Sequence, residues 1–195
     1  MKCSKQLSDK MLTYKVTILM ALTSASRVSA LHHLDIRYMV LTETQCTFTF
    51  SKLHKSWKKG ATPPAVTFYA YKANENLCVV STIKEYINRT KEWRIRDNQS
   101  QLLLSFINPH REVVSSTIAG SIKNLLCSAG INTEVFKAHS TRSASTSKAG
   151  ASDLSLPDVM VKWGSWSNES TWQKFYNKKV ATPEEKFQSY VFNTL

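Results

Sequence analysis

The sequence has little glycine, proline and cysteine, and few acidic residues for its length. Its 195 residues include 5 glycines, 5 prolines and 4 cysteines. Such a composition excludes a collagen-like repeat and a low-complexity disordered chain. The cysteines form no C-x-x-C pair, which argues against a zinc site and a dense disulfide scaffold and favours reduced thiols.

Long apolar runs are also missing. The most apolar early run, Met11–Leu22, contains Lys15 and is shorter than the ~20 residues that a membrane span needs. It has no small-residue cleavage site after a clean apolar stretch, so a signal peptide is not predicted. We therefore expect a nuclear or cytoplasmic protein that does not engage a membrane.

The shortage of acidic residues leaves a strong positive charge. There are 26 Lys and Arg against 14 Asp and Glu, a net charge of +12. An excess of this size indicates a polyanionic partner, with nucleic acid as the first candidate, although a merely basic surface is the alternative. The length fits one domain with a real core.

Apolar periodicity predicts a mainly helical α+β domain with a small three-stranded antiparallel sheet near its N-terminal end. Ser8-Asp9 predicts a helix N-cap, and Asn108-Pro109 ends a short extended apolar run over Gln101–Phe106. A lysine-rich turn, Ser51–Gly60, joins the second and third strands. The predicted strands are Ile36–Leu41, Cys46–Phe50 and Ala65–Tyr69, and the later helices are Arg27–Leu34, Val79–Trp93, Ser115–Ala129, Phe136–Gly150, Ser155–Trp163 and Ser170–Asn177.

The chemistry-bearing pattern is His139-Ser-Thr-Arg142, followed by an aromatic stretch from Trp166 to Tyr176. Residues three apart on a helix are neighbours, so an imidazole and a guanidinium side by side could bind one phosphate. Alone, H-x-x-R is a weak signal, because a basic protein can carry one by chance. Arg27, 112 residues before His139, and the lysine-rich turn make the order more specific.

In this order and spacing, the chain resembles the catalytic domain of tyrosine recombinases, the phage integrase family. It looks closest to recombinases of eukaryotic mobile elements of the DIRS and Crypton kind. The resemblance runs from about Leu7 to Asn177. It rests on four segments: Ala25–Leu34, Phe48–Gly60, Phe136–Thr146 and Trp166–Tyr176.

The resemblance implies a metal-free and cofactor-free site for cutting and rejoining double-stranded DNA. Tyr176 would be the nucleophile, forming a 3′-phosphotyrosyl bond, with His139 as its base. Arg27 and Arg142 would clamp the scissile phosphate, with Trp166 as a further donor. The lysine at the hairpin tip would protonate the leaving 5′-oxygen: Lys55, with Lys52 as the alternative. Lys52, Lys58 and Lys59 would contact the DNA backbone.

The sequence departs from the family in three places. The position three after the first arginine, often acidic, is Ala30, and Asp35 is the nearby substitute. The interval from Trp166 to Tyr176 is one residue longer than usual. Arg27 lies so early that the usual N-terminal core-binding domain is expected to be missing, leaving a catalytic domain over residues 1–182 and a tail over 183–195 that packs in cis or in trans.

Three functions remain open at this point. The first is a recombinase, which by resemblance would act as a tetramer on two DNA sites. The second is a non-catalytic or degenerate DNA-binding derivative, and the third, less favoured, is a type IB topoisomerase-like enzyme. The acidic residues show no two-metal pattern, and His32 and His33 are interpreted as helix-surface residues because no third ligand has metal spacing.

Overall fold

The computed structural model describes residues 4–50 and 64–150, together with Ser170 and Gln173. The chain divides into two compact units, Met1–Thr141 and Arg142–Leu195. The helices, in chain order, are α1 (Asp9–Ser24), α2 (Val28–His32), α3 (Val79–Arg89), α4 (Lys91–Asp97), α5 (Ser115–Ser128) and α6 (Ser140–Gly150). The strands are β1 (Met39–Leu41), β2 (Gln45–Thr49) and β3 (Ala65–Tyr69), and short 3-10 turns cover Ser4–Gln6, Ile36–Tyr38 and Glu75–Leu77.

Helix α1 is the centre of the first unit. The predicted cap is confirmed, since the Ser8 side chain accepts a hydrogen bond from the backbone N–H of Met11. The helix is buried on nearly all sides and packs against α3, α5 and α2. Even Lys15 is buried within it, with its ammonium 3.0 Å from Ser4 Oγ. Because these helices enclose α1, packing holds its C-terminal end in place, and the chain continues from there into α2.

The predicted sheet is confirmed as a three-stranded antiparallel sheet in the order β1-β2-β3. Cys46, Phe48 and Phe68 point into the core, while the hydroxyls of Thr47 and Thr67 meet at 2.9 Å on the other face. The first predicted strand is partly wrong, because Ile36–Tyr38 is a 3-10 turn capped by the Asp35 side chain. The lysine-rich turn between β2 and β3 lies outside the described residues.

The predicted helix Val79–Trp93 is in fact two helices that meet at Thr90. The Thr90 hydroxyl donates to the carbonyl of Tyr86 and accepts from Arg94 Nε. Thr90 adopts φ −90° and ψ 6°, and α3 ends before it. The chain can therefore change direction into α4, on which Arg94 turns inward.

The connection between α4 and α5 contains the predicted extended apolar run. Leu102, Leu103 and Leu104 are buried, and the Tyr86 hydroxyl both donates to the Leu104 carbonyl and accepts from its N–H. Isolated bridges pair Asp35 with Gln101 and Leu104 with Glu112. The run ends before a cis Asn108-Pro109 bond, which confirms the expected break.

Helices α5 and α6 complete the described structure. The prediction for α5 is confirmed to within one residue, but α6 begins at Ser140 rather than Phe136. The predicted helices Ser155–Trp163 and Ser170–Asn177 and the tail 183–195 lie outside the described residues, apart from helical Ser170 and Gln173. Among the described helices, none combines the length and the apolar character that crossing a bilayer requires.

Candidate active site

Arg27 stands at the N-terminal end of α2. It is the N-cap residue, with φ −70° and ψ 149°, and its carbonyl accepts from the N–H groups of Ala30 and Leu31 at 2.9 and 3.2 Å. Its side chain makes no capping hydrogen bond and is exposed. Within residues 4–50 and 64–150, no carboxylate forms an ion pair with it. The guanidinium is therefore an exposed positive charge without an ion pair among the described residues.

The turn Ser24–Arg27, here called the α1–α2 turn, delivers Arg27 to the surface. Ala25 is 3% exposed and adopts the left-handed conformation, with φ 48° and ψ 25°. The Ser24 hydroxyl donates to the Met20 carbonyl at 2.7 Å and accepts from the Ser26 N–H at 3.2 Å. A left-handed residue is a common way to end a helix, and here it turns the chain sharply into α2.

Asp35, which the sequence suggests as the acidic partner of Arg27, is hydrogen-bonded to other residues. Nε and Nη2 of Arg37 donate hydrogen bonds to its carboxylate, at 3.1 and 2.6 Å, and the Ser100 hydroxyl donates a third at 3.1 Å. Burial raises the pKa of Asp35, but these hydrogen bonds outweigh it, so the pKa lies below 3.8. The Asp35 hypothesis is therefore wrong, since Arg37 and Ser100 occupy the carboxylate.

Arg94 offers a second contrast with Arg27. It is buried, and its guanidinium donates to the Thr90 hydroxyl and to the carbonyls of Gln101 and Leu102. Burial lowers the pKa of Arg94 below its usual value. All of these acceptors are neutral, and two of them belong to the segment that pairs with Asp35, so Arg94 holds that segment in place.

His139 and Arg142 flank the beginning of α6. The sequence predicted both on one helix, whereas His139 lies in the turn directly before Ser140, and its side chain is exposed. Ser140 closes this turn, since its N–H donates to the Lys137 carbonyl and its hydroxyl accepts from the Lys137 N–H. Arg142, in the second unit, belongs to the first turn of α6 and is 3% exposed.

The chain is similar to solved structures of recombinases. A XerA recombinase matches with a TM-score of 0.61 at 16% identity, covering 96% of this chain and 64% of that one. A XerH site-specific recombinase bound to its difH substrate, in a pre-cleavage complex, matches with a TM-score of 0.59 at 18% identity, covering 89% and 45%. The fold is that of a tyrosine recombinase catalytic domain.

A post-cleavage complex of XerH with palindromic difH gives the same result, with a TM-score of 0.58 at 17% identity and coverage of 88% and 45%. The chain thus spans about half to two thirds of the length of these recombinases. No family model and no curated protein matches the sequence. The resemblance deduced from the sequence is confirmed for the recombinase catalytic-domain fold.

The tyrosines in the described part of this recombinase fold divide into buried and exposed groups. Burial raises the pKa of Tyr86, which is hydrogen-bonded to Leu104, and buried Tyr14 accepts from Asn124 Nδ2 at 3.1 Å. Tyr38, Tyr69 and Tyr71 are exposed. The nucleophile predicted from the sequence, Tyr176, lies outside the described residues, as do Lys52, Lys55, Lys58, Lys59 and Trp166.

One residue of the site region was misread from the sequence. His32 is not a simple surface residue, because its Nδ1 lies 2.8 Å from the carbonyl oxygen of Val113. That contact joins residues 81 positions apart, so no local pattern could have indicated it. Among residues 4–50 and 64–150, no three His, Cys, Asp or Glu side chains come together as a metal site.

Proposed function

We propose that this chain cuts and rejoins double-stranded DNA as a tyrosine recombinase, with Tyr176 as the nucleophile. The setting of Arg27 carries the proposal: an exposed cation without a carboxylate partner in the described residues, in a recombinase catalytic-domain fold. A guanidinium fork suits two oxygens of one phosphate, and an internal carboxylate would compete for it.

Each step of the reaction has a residue assigned to it. Arg27 and Arg142 bind the scissile phosphate and offset the charge that develops on its oxygens, with His139 and Trp166 as further donors. A phenol with a pKa of ~10 needs a base, so His139 takes the proton of Tyr176. The Tyr176 oxygen bonds to phosphorus as the bond to the 5′-oxygen breaks, and Lys55 protonates that oxygen, with Lys52 as the alternative.

Rejoining reverses these steps with the 5′-hydroxyl of another strand, so the energy of the phosphodiester bond is conserved and no metal or nucleotide cofactor enters. The net charge of +12 supports the DNA substrate, because a basic surface gains affinity by releasing counterions from the phosphate backbone. We assign the enzyme to a mobile element of the DIRS or Crypton kind, acting as a tetramer in the nucleus or cytoplasm, on the motif resemblance.

The test is covalent capture from a library. The protein is incubated with nicked suicide duplexes whose sequence around the nick is randomised, so that cleavage releases a short 5′-hydroxyl fragment and traps the adduct. Adducts that survive denaturation are isolated, their DNA is sequenced, and the attached peptide is mapped. We expect wild type to yield adducts on Tyr176 and Tyr176→Phe to yield none.

Other outcomes identify the rivals. DNA binding on a gel without any adduct would overturn the proposal in favour of a non-catalytic DNA-binding derivative. An adduct with Tyr176→Phe would show that another residue is the nucleophile. Adducts together with relaxation of supercoiled plasmid, but no exchange between two duplexes, would indicate a type IB topoisomerase-like enzyme.

A further inference from the structure

Helix α2 is too short to set its own direction. It has five residues, and a helix of that length is not stable without tertiary contacts. Arg27 is its N-cap, so any rotation of α2 moves the base of the Arg27 side chain. The direction of this guanidinium therefore depends on whatever anchors the other end of α2.

Three hydrogen bonds hold that end, one from a backbone N–H and two from a side-chain amide. The N–H of Leu102 donates to the Leu34 carbonyl at 2.7 Å. The Gln101 amide nitrogen, in the orientation that satisfies both ends of the amide, donates to the carbonyls of Leu34 and His32 at 3.0 and 3.2 Å. These hydrogen bonds fix the carbonyls at the C-terminal end of α2, and the Leu31 side chain, 1% exposed, packs the helix into the core.

A fourth hydrogen bond comes from the side chain of His32, on α2 itself. His32 Nδ1 lies 2.8 Å from the Val113 carbonyl oxygen, and because a carbonyl can only accept, Nδ1 carries the hydrogen. Val113 is 8% exposed, its own N–H donates to the Leu103 carbonyl, and it directly precedes Val114, the N-cap of α5. Within the described part of the chain, His32 is the one α2 residue whose side chain makes a hydrogen bond.

We propose that His32 is a positioning residue: through its hydrogen bond to Val113 it locks α2 against the start of α5 and so aims Arg27 at the scissile phosphate. The inference rests on the proposed function, in which Arg27 binds that phosphate. In this role His32 acts through Arg27, and its Nδ1 is already used inside the protein.

Two substitutions distinguish the effect of losing the hydrogen bond to Val113 from the effect of losing the imidazole ring. In His32→Asn the amide nitrogen can occupy nearly the place of Nδ1 and donate to Val113, whereas His32→Leu keeps volume and loses the donor. At saturating DNA we expect His32→Leu to slow adduct formation about 10- to 100-fold, because small misplacements of a binding group cost this much. His32→Asn should stay within about threefold of wild type, and DNA affinity should change little in either variant.

A double mutant tests whether the effect passes through Arg27. In an Arg27→Lys background, His32→Leu should have almost no further effect on the rate, because the group that it positions has been changed. His33→Leu is the matched control on the neighbouring imidazole, whose ring centroid lies 4.8 Å away. If His32→Leu does not fold, His32→Gln, with its amide one bond farther out, takes its place.

The outcomes are distinct. A wild-type rate for His32→Leu would overturn the inference, and so would an equal loss in the Arg27→Lys background. An equal loss for Asn and Leu would show that the imidazole itself is required, which also contradicts a positioning role. Failure of wild type to form any adduct would instead contradict the proposed function.

Discussion

The two ends of α2 lie in opposite settings. At the N-terminal end, the α1–α2 turn presents Arg27 exposed and without an ion pair in the described residues. Beyond the C-terminal end lies the Arg94 junction, defined as Arg94, Asp35, Ser100, Gln101 and Leu102, where a buried guanidinium and a buried carboxylate are both hydrogen-bonded.

The difference shows how one residue type serves two purposes. A buried cation is tolerated only when the fold supplies its acceptors, as Gln101 and Leu102 do for Arg94. A cation intended for an external phosphate needs the reverse, a rigid base and no competing carboxylate. Helix α2 thus lies between the Arg94 junction, where the guanidinium and the carboxylate are hydrogen-bonded, and Arg27, which has no ion pair in the described residues. Substitutions can alter each end separately.

The largest expected effect is at Arg27, at the N-terminal end of α2. Arg27→Ala should lower the rate of adduct formation by about 10²- to 10³-fold, the loss seen when one donor to a developing oxyanion is removed. Because the side chain is exposed, the free energy of unfolding should change by less than about 0.5 kcal/mol. Single-turnover cleavage and urea denaturation measure the two quantities.

Arg111→Ala is the matched control, since Arg111 is exposed and makes no ion pair among the described residues. It removes the same charge without touching α2. Equal losses of cleavage in both variants would mean that Arg27 contributes only general attraction to DNA, and the contrast between the two ends of α2 would lose its functional meaning.

Substitutions in the Arg94 junction should change the free energy of unfolding. Arg94→Met leaves the carbonyls of Gln101 and Leu102 without their donor, at a cost of about 2–4 kcal/mol in the free energy of unfolding, since each buried unsatisfied group costs about 1–3 kcal/mol. Arg96→Met, on the same helix but exposed, ion-paired with neighbouring Asp97 and 3.5 Å from Asn108 Oδ1, should cost less than about 1 kcal/mol. Similar costs for both would contradict a structural role for Arg94.

Local patterns were sufficient for much of this fold. Ser8 before an apolar helical repeat predicted α1 with its cap, and the return of the chain after the lysine-rich turn predicted Ala65–Tyr69 as the partner strand, β3, with its bounds. The cap and the strand depend on residues close in sequence, where hydrogen-bond and burial preferences act directly. Arg27 is selected by its place in a motif order that spans the chain, and its catalytic role stays a prediction; the structure shows that it is exposed.

Features that depend on long-range contacts were missed. The predicted helix is divided at Thr90, next to Arg94, which turns inward and donates to the 101–102 segment. Asp35 was considered for Arg27, but Arg37 two residues away and Ser100 in a distant loop bind it. Sequence spacing did not reveal that α2 is anchored through Val113.

Within the Arg94 junction, Asp35 should make stability depend on pH. Its folded-state pKa lies below 3.8, so the ionised carboxylate stabilises the fold above the unfolded pKa, and this stabilisation is lost as the pH falls through the folded value. Asp35→Asn should cost about 1.5–3 kcal/mol at pH 7, the value of hydrogen bonds to a charged group. The difference from wild type should shrink as the pH falls from about 5 to below the ordinary carboxyl pKa.

Urea denaturation of wild type and Asp35→Asn at several pH values measures this difference. Glu43→Gln is the control, because Glu43 pairs with Lys84 at 3.0 Å while 88% exposed, and such pairs contribute little. A difference between wild type and Asp35→Asn that stays constant down to pH 3 would contradict a role for the charge of Asp35 in the junction.

The smallest expected effect is at Ala25 in the α1–α2 turn. Its left-handed backbone costs an alanine roughly 1–2 kcal/mol, which glycine avoids. Ala25→Gly also loses a buried methyl group and gains freedom in the unfolded chain, so the free energy of unfolding should change by less than about 0.5 kcal/mol. Ala21→Gly deletes an equally buried methyl group inside α1, where the backbone is helical, and should cost about 1–2 kcal/mol. The difference between the two variants in urea denaturation measures the strain that the turn carries to hold Arg27 at the surface; equal losses would mean that it carries none.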